Sequence, residues 1–403
     1  MKSESLGLFT NRDDGMDLDF TPAEKQFREQ VAAWLHENVP KQPRPYEGEE
    51  ARAFDVTWQR KMYDAGWAGI AWPAEYGGRG LSTMQQLIWH EEYAKAGAPW
   101  AGNVIPGVNL AGPTLIIEGN AEQKAFHLPK ILRGEVTWCQ GFSEPSAGSD
   151  LASLRTRAVI DGDHLVVNGQ KIWTSFGNFA QYQMLLVRTD PDVPKHKGIT
   201  WLICDMSTPG ITVRPIEIMS GGHHFCEVFY DDVRIPLANV VGRINDGWRV
   251  TMATLSFERG TAFMADSIEI GKKIDHLIEL ARVQSSPFGN GKAINDDEIR
   301  RRLGQASAES CALRSIILAA ISRNERTGKP GPEGSMIRLH FSLLQQRVYR
   351  LSLDILGPAQ IIMSEYGQDW TQPYLRSYAS TIAGGTAQVQ RNIIGERVLG
   401  LPK

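Results

Sequence analysis

The chain has 403 residues, of which 42% are hydrophobic and 22% charged, and a formal net charge of −3. That is apolar material for more than one core, and a composition unlike that of disordered or fibrous chains. No basic run offers a nucleic-acid footprint or a polybasic membrane anchor, and no apolar stretch reaches the length of a membrane-spanning helix. The N-terminal segment MKSESLGLFTNRDDG has no apolar core and carries three acids by residue 14. It reads as a tail ahead of the first helix, neither secretory signal nor transit peptide, and a cytoplasmic location is expected. Cys139, Cys204, Cys226 and Cys311 are scattered without a CxxC pair, as in a reducing compartment. His223, His224 and Cys226 cluster, but they run straight into a strand-like segment that supplies no further ligands, so no metal is expected.

In chain order, Thr21, Pro22 and Glu24 form a helix-start signal, and Phe27, Val31 and Leu35 recur at helical spacing. Further helices are predicted around 53–65, 83–96 and 121–132, with turn-rich segments at 73–80 and 97–103. From about residue 137 to 240 the pattern changes to short runs of Val, Ile, Thr and aromatics. Asp161-Gly162-Asp163 reads as a hairpin turn before a strand over 164–175, and further strands are predicted at 183–189, 198–205, 210–216 and 226–235. Closely spaced strands without intervening helices predict an antiparallel sandwich or barrel. After Gly247 long helical periods resume, at about 247–284, 296–328, 333–356 and 385–398, which suits a bundle. The expected fold is α+β: an N-terminal helical domain (1–135), a central antiparallel β domain (136–245) and a C-terminal helical bundle (246–403).

Neither GxGxxG after a strand nor a P-loop is present, so a Rossmann or P-loop site is not indicated. Gly77-Gly78-Arg79-Gly80 lacks the strand-and-helix context and reads as a surface turn. GFSEPSAGSD (141–150) has small residues that let backbone N–H groups approach a ligand, with hydroxyls at Ser143 and Ser149; an ordinary serine-rich turn would look the same. In KIWTSFG (171–177), Trp173 is either a cover for a planar cofactor or a core strand tryptophan. TIAGGTAQVQRNIIGERVLG (381–400) brings two glycines to the start of a helix, which suits anion or cofactor binding and is also how many helices begin.

Together these motifs carry a resemblance. WCQGFSEPSAGSDLASLRTRA (138–158), VVNGQKIWTSFGN (166–178), FCEVFYDDVRIP (225–236), the GW–L–FERG pattern (247–260) and GGTAQVQRNIIGERVLGLP (384–402) resemble the acyl-CoA dehydrogenase family in order and spacing, from Thr21 to Leu401. The resemblance implies an N-terminal helical domain, a central β domain and a C-terminal four-helix bundle, with FAD held between the β domain and the bundle. By position, Phe142, Ser143, Gly148 and Ser149 match the flavin-binding loop and Trp173 the tryptophan beside the flavin. Ser175 matches the hydroxyl residue near flavin N5, and Thr386 and Gln388 match cofactor contacts past the GGT turn. It also implies an acyl-CoA substrate, an electron-transferring flavoprotein as electron acceptor, and a homodimer or homotetramer, a hetero-oligomer being the alternative.

The reaction the family performs needs a base for the α-proton. Many members place a glutamate just before the final GGT turn, where this sequence has Gly384. A second group, resembling isovaleryl-CoA dehydrogenase, carries it on the first helix of the bundle, where this sequence has Glu258 in LSFERG. The resemblance therefore makes Glu258 the base, Arg259 an acyl-CoA-positioning arginine and the Gly384 backbone N–H a donor to the thioester carbonyl. Two departures touch the adenine end of FAD: Ser285 stands where an arginine is usual, and DILGPAQ (354–360) alters a glutamine- and glycine-rich segment. Two other readings keep the same scaffold: a structural or FAD-poor subunit of a mixed oligomer, and a flavin oxidase or monooxygenase.

Overall fold

Thr21 opens the first helix as the sequence predicts. Its hydroxyl accepts from the Glu24 backbone N–H at 3.2 Å, while the Glu24 carboxylate accepts from the Thr21 N–H at 2.7 Å. The structure is a computed structural model that describes residues 20–258, 262–289, 291–327, 331, 333–357 and 370–402. Helix α1 (Pro22–Asn38) buries Phe27, Val31 and Leu35 in a core shared with Trp58, Trp67 and Trp89. Helices α2 (Gly48–Asp64), α3 (Thr83–Lys95) and α5 (Ala121–Leu132) answer to the other predicted helices. Helix α4 (Gly112–Glu118), entered through a π-helical turn at Pro106–Ala111, is an addition. Its segment PGVNLAGPTLIIE is punctuated by glycine and proline, which erases the periodic signal. Packing explains one of those glycines: a Cβ on Gly112 would fall 1.9 Å from the Trp72 ring.

The central strands are β1 (Trp138–Gly141), β2 (Arg157–Asp161), β3 (His164–Ser175), β4 (Tyr182–Arg188), β5 (Ile199–Asp205), β6 (Ile211–Ile216), β7 (Phe225–Pro236) and β8 (Val240–Val241). They form one eight-stranded sheet in the order β6-β7-β3-β2-β4-β5-β8, with β1 also on β4. Gly162 and Asp163 make the predicted two-residue turn between Asp161 and His164, with Gly162 at φ 61°. The antiparallel β domain is therefore present, with a refinement. β1 and β2 both run parallel to β4, at Trp138–Gly141 and at Arg157 respectively. The segment between them leaves the flank of β4 and returns to it, which is how GFSEPSAGSD comes to stand off the sheet.

The C-terminal region is helical, with α6 (Gly247–Glu258), α7 (Ala262–Val283), α8 (Asp297–Thr327), α9 (Glu333–Leu356), α10 (Thr371–Ser380) and α11 (Ala387–Ile393). A π-helical turn, Ile394–Val398, extends α11. Helix α10 and the short strands β1 and β8 are further elements that the sequence does not announce. α7, α8 and α9 share one apolar core, through Leu277, Leu313 and Leu344 among others. A second core joins the three regions: Trp72 and Leu115 from the first, Trp138, Met184 and Trp201 from the sheet, and Val250 from α6. That shared core fixes α6 against the sheet. The buried hydroxyls of Thr114 on α4 and Thr254 on α6 lie 3.0 Å apart across the same junction.

Candidate active site

The loop between β1 and β2 is held from inside by a buried ion pair. Lys171 on β3 is fully buried and donates from Nζ to the Phe142 carbonyl at 3.1 Å and to Glu144 Oε1 at 2.8 Å. The Glu144 carboxylate also accepts from the backbone N–H groups of Arg155 (2.6 Å) and Thr156 (2.8 Å), so it ties both ends of the loop together. Burial works to raise the Glu144 carboxyl, but the Lys171 charge and these hydrogen bonds outweigh it and hold it below the usual value. Burial pulls the Lys171 ammonium down to about 8, with Glu144 opposing. Within the loop Glu144 and Ala147 exchange backbone hydrogen bonds at 3.0 Å, and outside it Lys195 Nζ reaches the Asp150 carboxylate at 2.8 Å.

The clamp brings two of the sequence motifs together. The Ser143 carbonyl accepts from Ile172 N–H at 2.9 Å, so the loop lies directly against the strand that carries Trp173. Phe142 is buried, Ser143 half-buried, and Gly148 and Ser149 exposed. A Cβ on Gly148 would meet nothing within 4 Å, so space is left beside the loop.

Trp173 is no core tryptophan. It is 56% exposed, and it has φ 61°, a conformation L-residues rarely take. The register of β3 against β7 slips between Lys171 and Thr174, so Trp173 sits on a bulge that turns its side chain outward. Its ring stands edge-on to Phe225, at 6.0 Å between centroids. Ser175, half-buried, is the register partner of Phe225. A bulky residue held at positive φ in the open is a local cost that packing does not explain, and such outliers gather at functional sites.

The C-terminal motif forms its own cradle. Gly384 and Gly385 are both left-handed, with φ 65° and 95°. Gln390 Nε2 donates to their carbonyls at 3.0 and 3.3 Å, and the buried Arg338 donates to Ala383 O at 2.6 Å. Thr386 caps α11, its hydroxyl accepting from Val389 N–H at 3.2 Å, and Gln388 is exposed. This turn follows α10, and α10 stands beside the sheet edge just described. Arg376 lies over the Trp100 ring at 5.4 Å, and Trp100 packs on Phe176 at 6.2 Å.

Sequence profiles of the acyl-CoA dehydrogenase N-terminal, middle and C-terminal domains match residues 21–135, 139–233 and 245–399. The chain belongs to the acyl-CoA dehydrogenase family. It is 40% identical over 387 residues to acyl-CoA dehydrogenase IpdE1 of Mycobacterium tuberculosis, covering 94% of this chain and 98% of that one. Among solved structures it is similar to a chain of the ChsE4-ChsE5 complex from Mycobacterium tuberculosis, with a TM-score of 0.81, 33% identity, and 96% and 100% of the two chains covered. It is also similar to a chain of the Tcur3481-Tcur3483 steroid ACAD, with a TM-score of 0.83, 31% identity, and the same coverage. Membership makes this an oxidoreductase that acts on acyl-CoA, and it implies a flavin cofactor.

For an acyl-CoA dehydrogenase, the remaining sequence-predicted positions are unevenly placed. Glu258 is the last residue of α6, the helix anchored by Val250 and Thr254; its side chain, and the whole of Arg259, lie outside the described residues. Ser285 forms an isolated bridge with Lys292, and Phe288 beyond it is 63% exposed. Asp354 pairs with Arg302 at 2.8 Å, while 358–369 lies outside the described residues. Among the described residues no group of three His, Cys, Asp or Glu side chains is placed to hold a metal, and no helix is long and apolar enough to cross a membrane. Sequence reasoning passed over Glu144 and Lys171. The available signal was two charges within segments otherwise rich in small and apolar residues.

Proposed function

We propose that this chain catalyses the FAD-dependent α,β-dehydrogenation of an acyl-CoA thioester to the trans-2-enoyl-CoA, with Glu258 as the base. The observation that carries the reading is Trp173, exposed at positive φ on a bulge, with the clamped loop on one side and Ser175 on the other. These residues fit a planar group. Trp173 offers an uncovered ring face, Ser143 and Ser149 offer hydroxyls, Gly148 leaves room, and the Gly384–Gly385 turn presents backbone N–H groups ahead of Thr386 and Gln388. Phe142, Ser143, Gly148, Ser149, Trp173, Ser175, Thr386 and Gln388 would hold the flavin, which when bound supplies the two-electron acceptor for the β-hydride.

The protein's part is proton transfer and charge stabilisation. Glu258, at the end of a helix fixed against the sheet, takes the α-proton. The Gly384 N–H donates to the thioester carbonyl as negative charge grows there, and Arg259 positions the acyl-CoA. Electrons leave to an electron-transferring flavoprotein. The similarity to a chain of a steroid ACAD favours a ring-bearing acyl group, and similarity to two paired assemblies favours an oligomer that includes a second, related subunit. The structural-subunit alternative is disfavoured by the intact clamp around the Trp173 face.

The test is anaerobic bleaching of the FAD-loaded protein against straight, branched and ring-bearing acyl-CoAs. Bleaching by at least one class, lost in Glu258→Gln with FAD retained, is the expected result. A colourless protein that takes up no FAD, alone or with its partner subunit, would overturn the proposal.

A further inference from the structure

Beyond Ser175 the β3–β7 edge borders a cleft of about 260 Å³, with Arg44, Tyr46, Glu47, Phe176, Phe179 and His223 on its walls. At its Arg44 end two guanidinium groups converge on one indole. The Arg44 guanidinium carbon lies 5.8 Å from the centre of the Trp100 ring, and that of Arg376, reaching over from α10, lies 5.4 Å from it. The indole is packed directly on the Gly102 backbone, where a Cβ would fall 2.4 Å from it, and Phe176 lies against it at 6.2 Å. This recess adjoins the proposed flavin face through two elements. Phe176 is the residue after Ser175, and α10, which carries Arg376, runs on into the turn at Gly384.

The charges around the recess pair off and leave one over. Arg44 engages all three of its nitrogens: Nε and Nη2 with the Asp55 carboxylate at 2.6 and 2.8 Å, and Nη1 with the Pro45 and Tyr46 carbonyls at 3.0 and 3.3 Å. Glu47 is taken up by His223, whose backbone N–H donates to Oε2 at 2.7 Å and whose Nδ1 lies 3.5 Å from Oε1. Arg376 makes neither an ion pair nor a hydrogen bond among the described residues; it has only the Trp100 ring. The protein nonetheless crowds it. Although part of its surface is accessible, burial pulls its guanidinium below the usual value, with Tyr46 opposing and Arg44 adding to the fall. It still carries its charge near pH 7. His224 adds none, since burial and then Arg376 pull its ring down to about 4. A partly desolvated guanidinium without a counter-charge is an arrangement that an anion completes.

Resting on the dehydrogenase reading above, we infer that this recess receives the far end of the acyl group and that Arg376 recognises a carboxylate carried there. A carboxylate accepts two parallel N–H bonds from the planar guanidinium fork and balances its charge. The apolar part of the acyl group then lies along Trp100 and Phe176. A carboxamide offers the fork one neutral acceptor and turns an N–H₂ against the rest of it. A methyl end leaves Arg376 without a counter-charge. An ammonium is repelled by Arg376, and the nearby Asp55 carboxylate is already held by Arg44.

The experiment uses the full FAD-loaded protein, with its partner subunit where one is needed. The probes are straight-chain and cyclohexyl-bearing acyl-CoAs of increasing length that end in a carboxylate, each compared with its carboxamide and methyl counterparts. Equilibrium binding is measured by calorimetry and flavin bleaching is measured alongside. At one length the carboxylate member should bind at least about tenfold more tightly than the other two, the worth of a hydrogen bond to a charged group. In Arg376→Gln the carboxylate and carboxamide members should bind alike, and Arg376→Lys should restore part of the difference. If no length shows a preference while flavin still bleaches, or if the preference survives in Arg376→Gln, the Arg376 assignment falls and the dehydrogenase reading stands. If no acyl-CoA binds or bleaches, both fall. The wild-type comparison needs no variant, so a folding failure at Arg376 leaves it decisive.

Discussion

Replacing Lys171 with methionine should cost the protein both stability and flavin. At 2.8 Å and an effective dielectric of about 20, the attraction to Glu144 amounts to about 6 kcal/mol, set against the cost of desolvating both ions. Methionine fills most of the same space, so the cavity term is small. What remains is a buried carboxylate that keeps only the N–H donors of Arg155 and Thr156. Removing one partner of such a pair costs about 3–5 kcal/mol, a large share of a typical folding free energy of about 5–15 kcal/mol. Because Nζ also holds the Phe142 carbonyl, the loss should be local as well as global, and the loop should part from β3 at the Ser143–Ile172 contact. Denaturant unfolding gives the first quantity, and flavin stoichiometry after gel filtration the second. The double variant Lys171→Met, Glu144→Gln should be less damaged than the sum of the singles. A Lys171→Met protein that loses less than about 1 kcal/mol and keeps full flavin would refute the clamp.

Three further outcomes follow from the same geometry. The Glu144 carboxyl is held below its unfolded value, so its contribution is present above the unfolded pKa of about 4.3 and is lost as pH falls through the lower folded value; loop release, read by Trp173 fluorescence, should set in below that point and shift in Glu144→Gln. Trp173→Gly removes an exposed side chain and suits the positive φ, so stability should change by no more than about 0.5 kcal/mol or rise slightly, while flavin affinity falls; unchanged affinity would count against Trp173 as the ring cover. Light scattering should find a dimer or tetramer, with or without a related second subunit, and a fully active monomer would contradict the oligomer proposal.

Much of the architecture was legible because the signals were local. The Thr21–Glu24 box, the Gly162 turn and the Phe27–Val31–Leu35 face are each settled by neighbours in sequence, and each stands in the structure as expected. The elements that escaped are decided by distant partners. Helix α4 exists because Leu115 and Gly112 pack into the Trp72 core, against the local preference of a glycine- and proline-rich segment. The parallel pairing of β1 with β4 depends on a loop excursion that no spacing rule encodes. The site divides the same way. Ser143, Trp173 and Thr386 could be marked by motif, but the outward turn of Trp173 comes from a register slip against β7, more than fifty residues on.

The proposed base position turns on what Gly384 permits. At φ 65° a residue with a Cβ is strained by about 1–2 kcal/mol, and the neighbouring carbonyl is pinned by Arg338. On the proposed reading the turn presents an N–H to the thioester without a side chain crowding it, and the carboxylate comes from elsewhere; Glu258 ends α6, which the shared core holds against the sheet. Glu258→Gln should slow flavin bleaching by about 10²–10⁴-fold while FAD stoichiometry and acyl-CoA binding persist, since glutamine keeps shape and polarity. Adding Gly384→Glu to that background restores a carboxylate from a different backbone origin. Its strain should appear as a modest loss of stability, and with a slender straight-chain acyl-CoA part of the bleaching rate should return. With a bulky ring-bearing acyl-CoA the added side chain occupies space that glycine leaves free, so rescue should be weaker or absent. The pair of substrates makes the test discriminating: near-wild-type bleaching in Glu258→Gln removes the base assignment outright, and equal rescue with slender and bulky substrates would show that Gly384 is not there to make room.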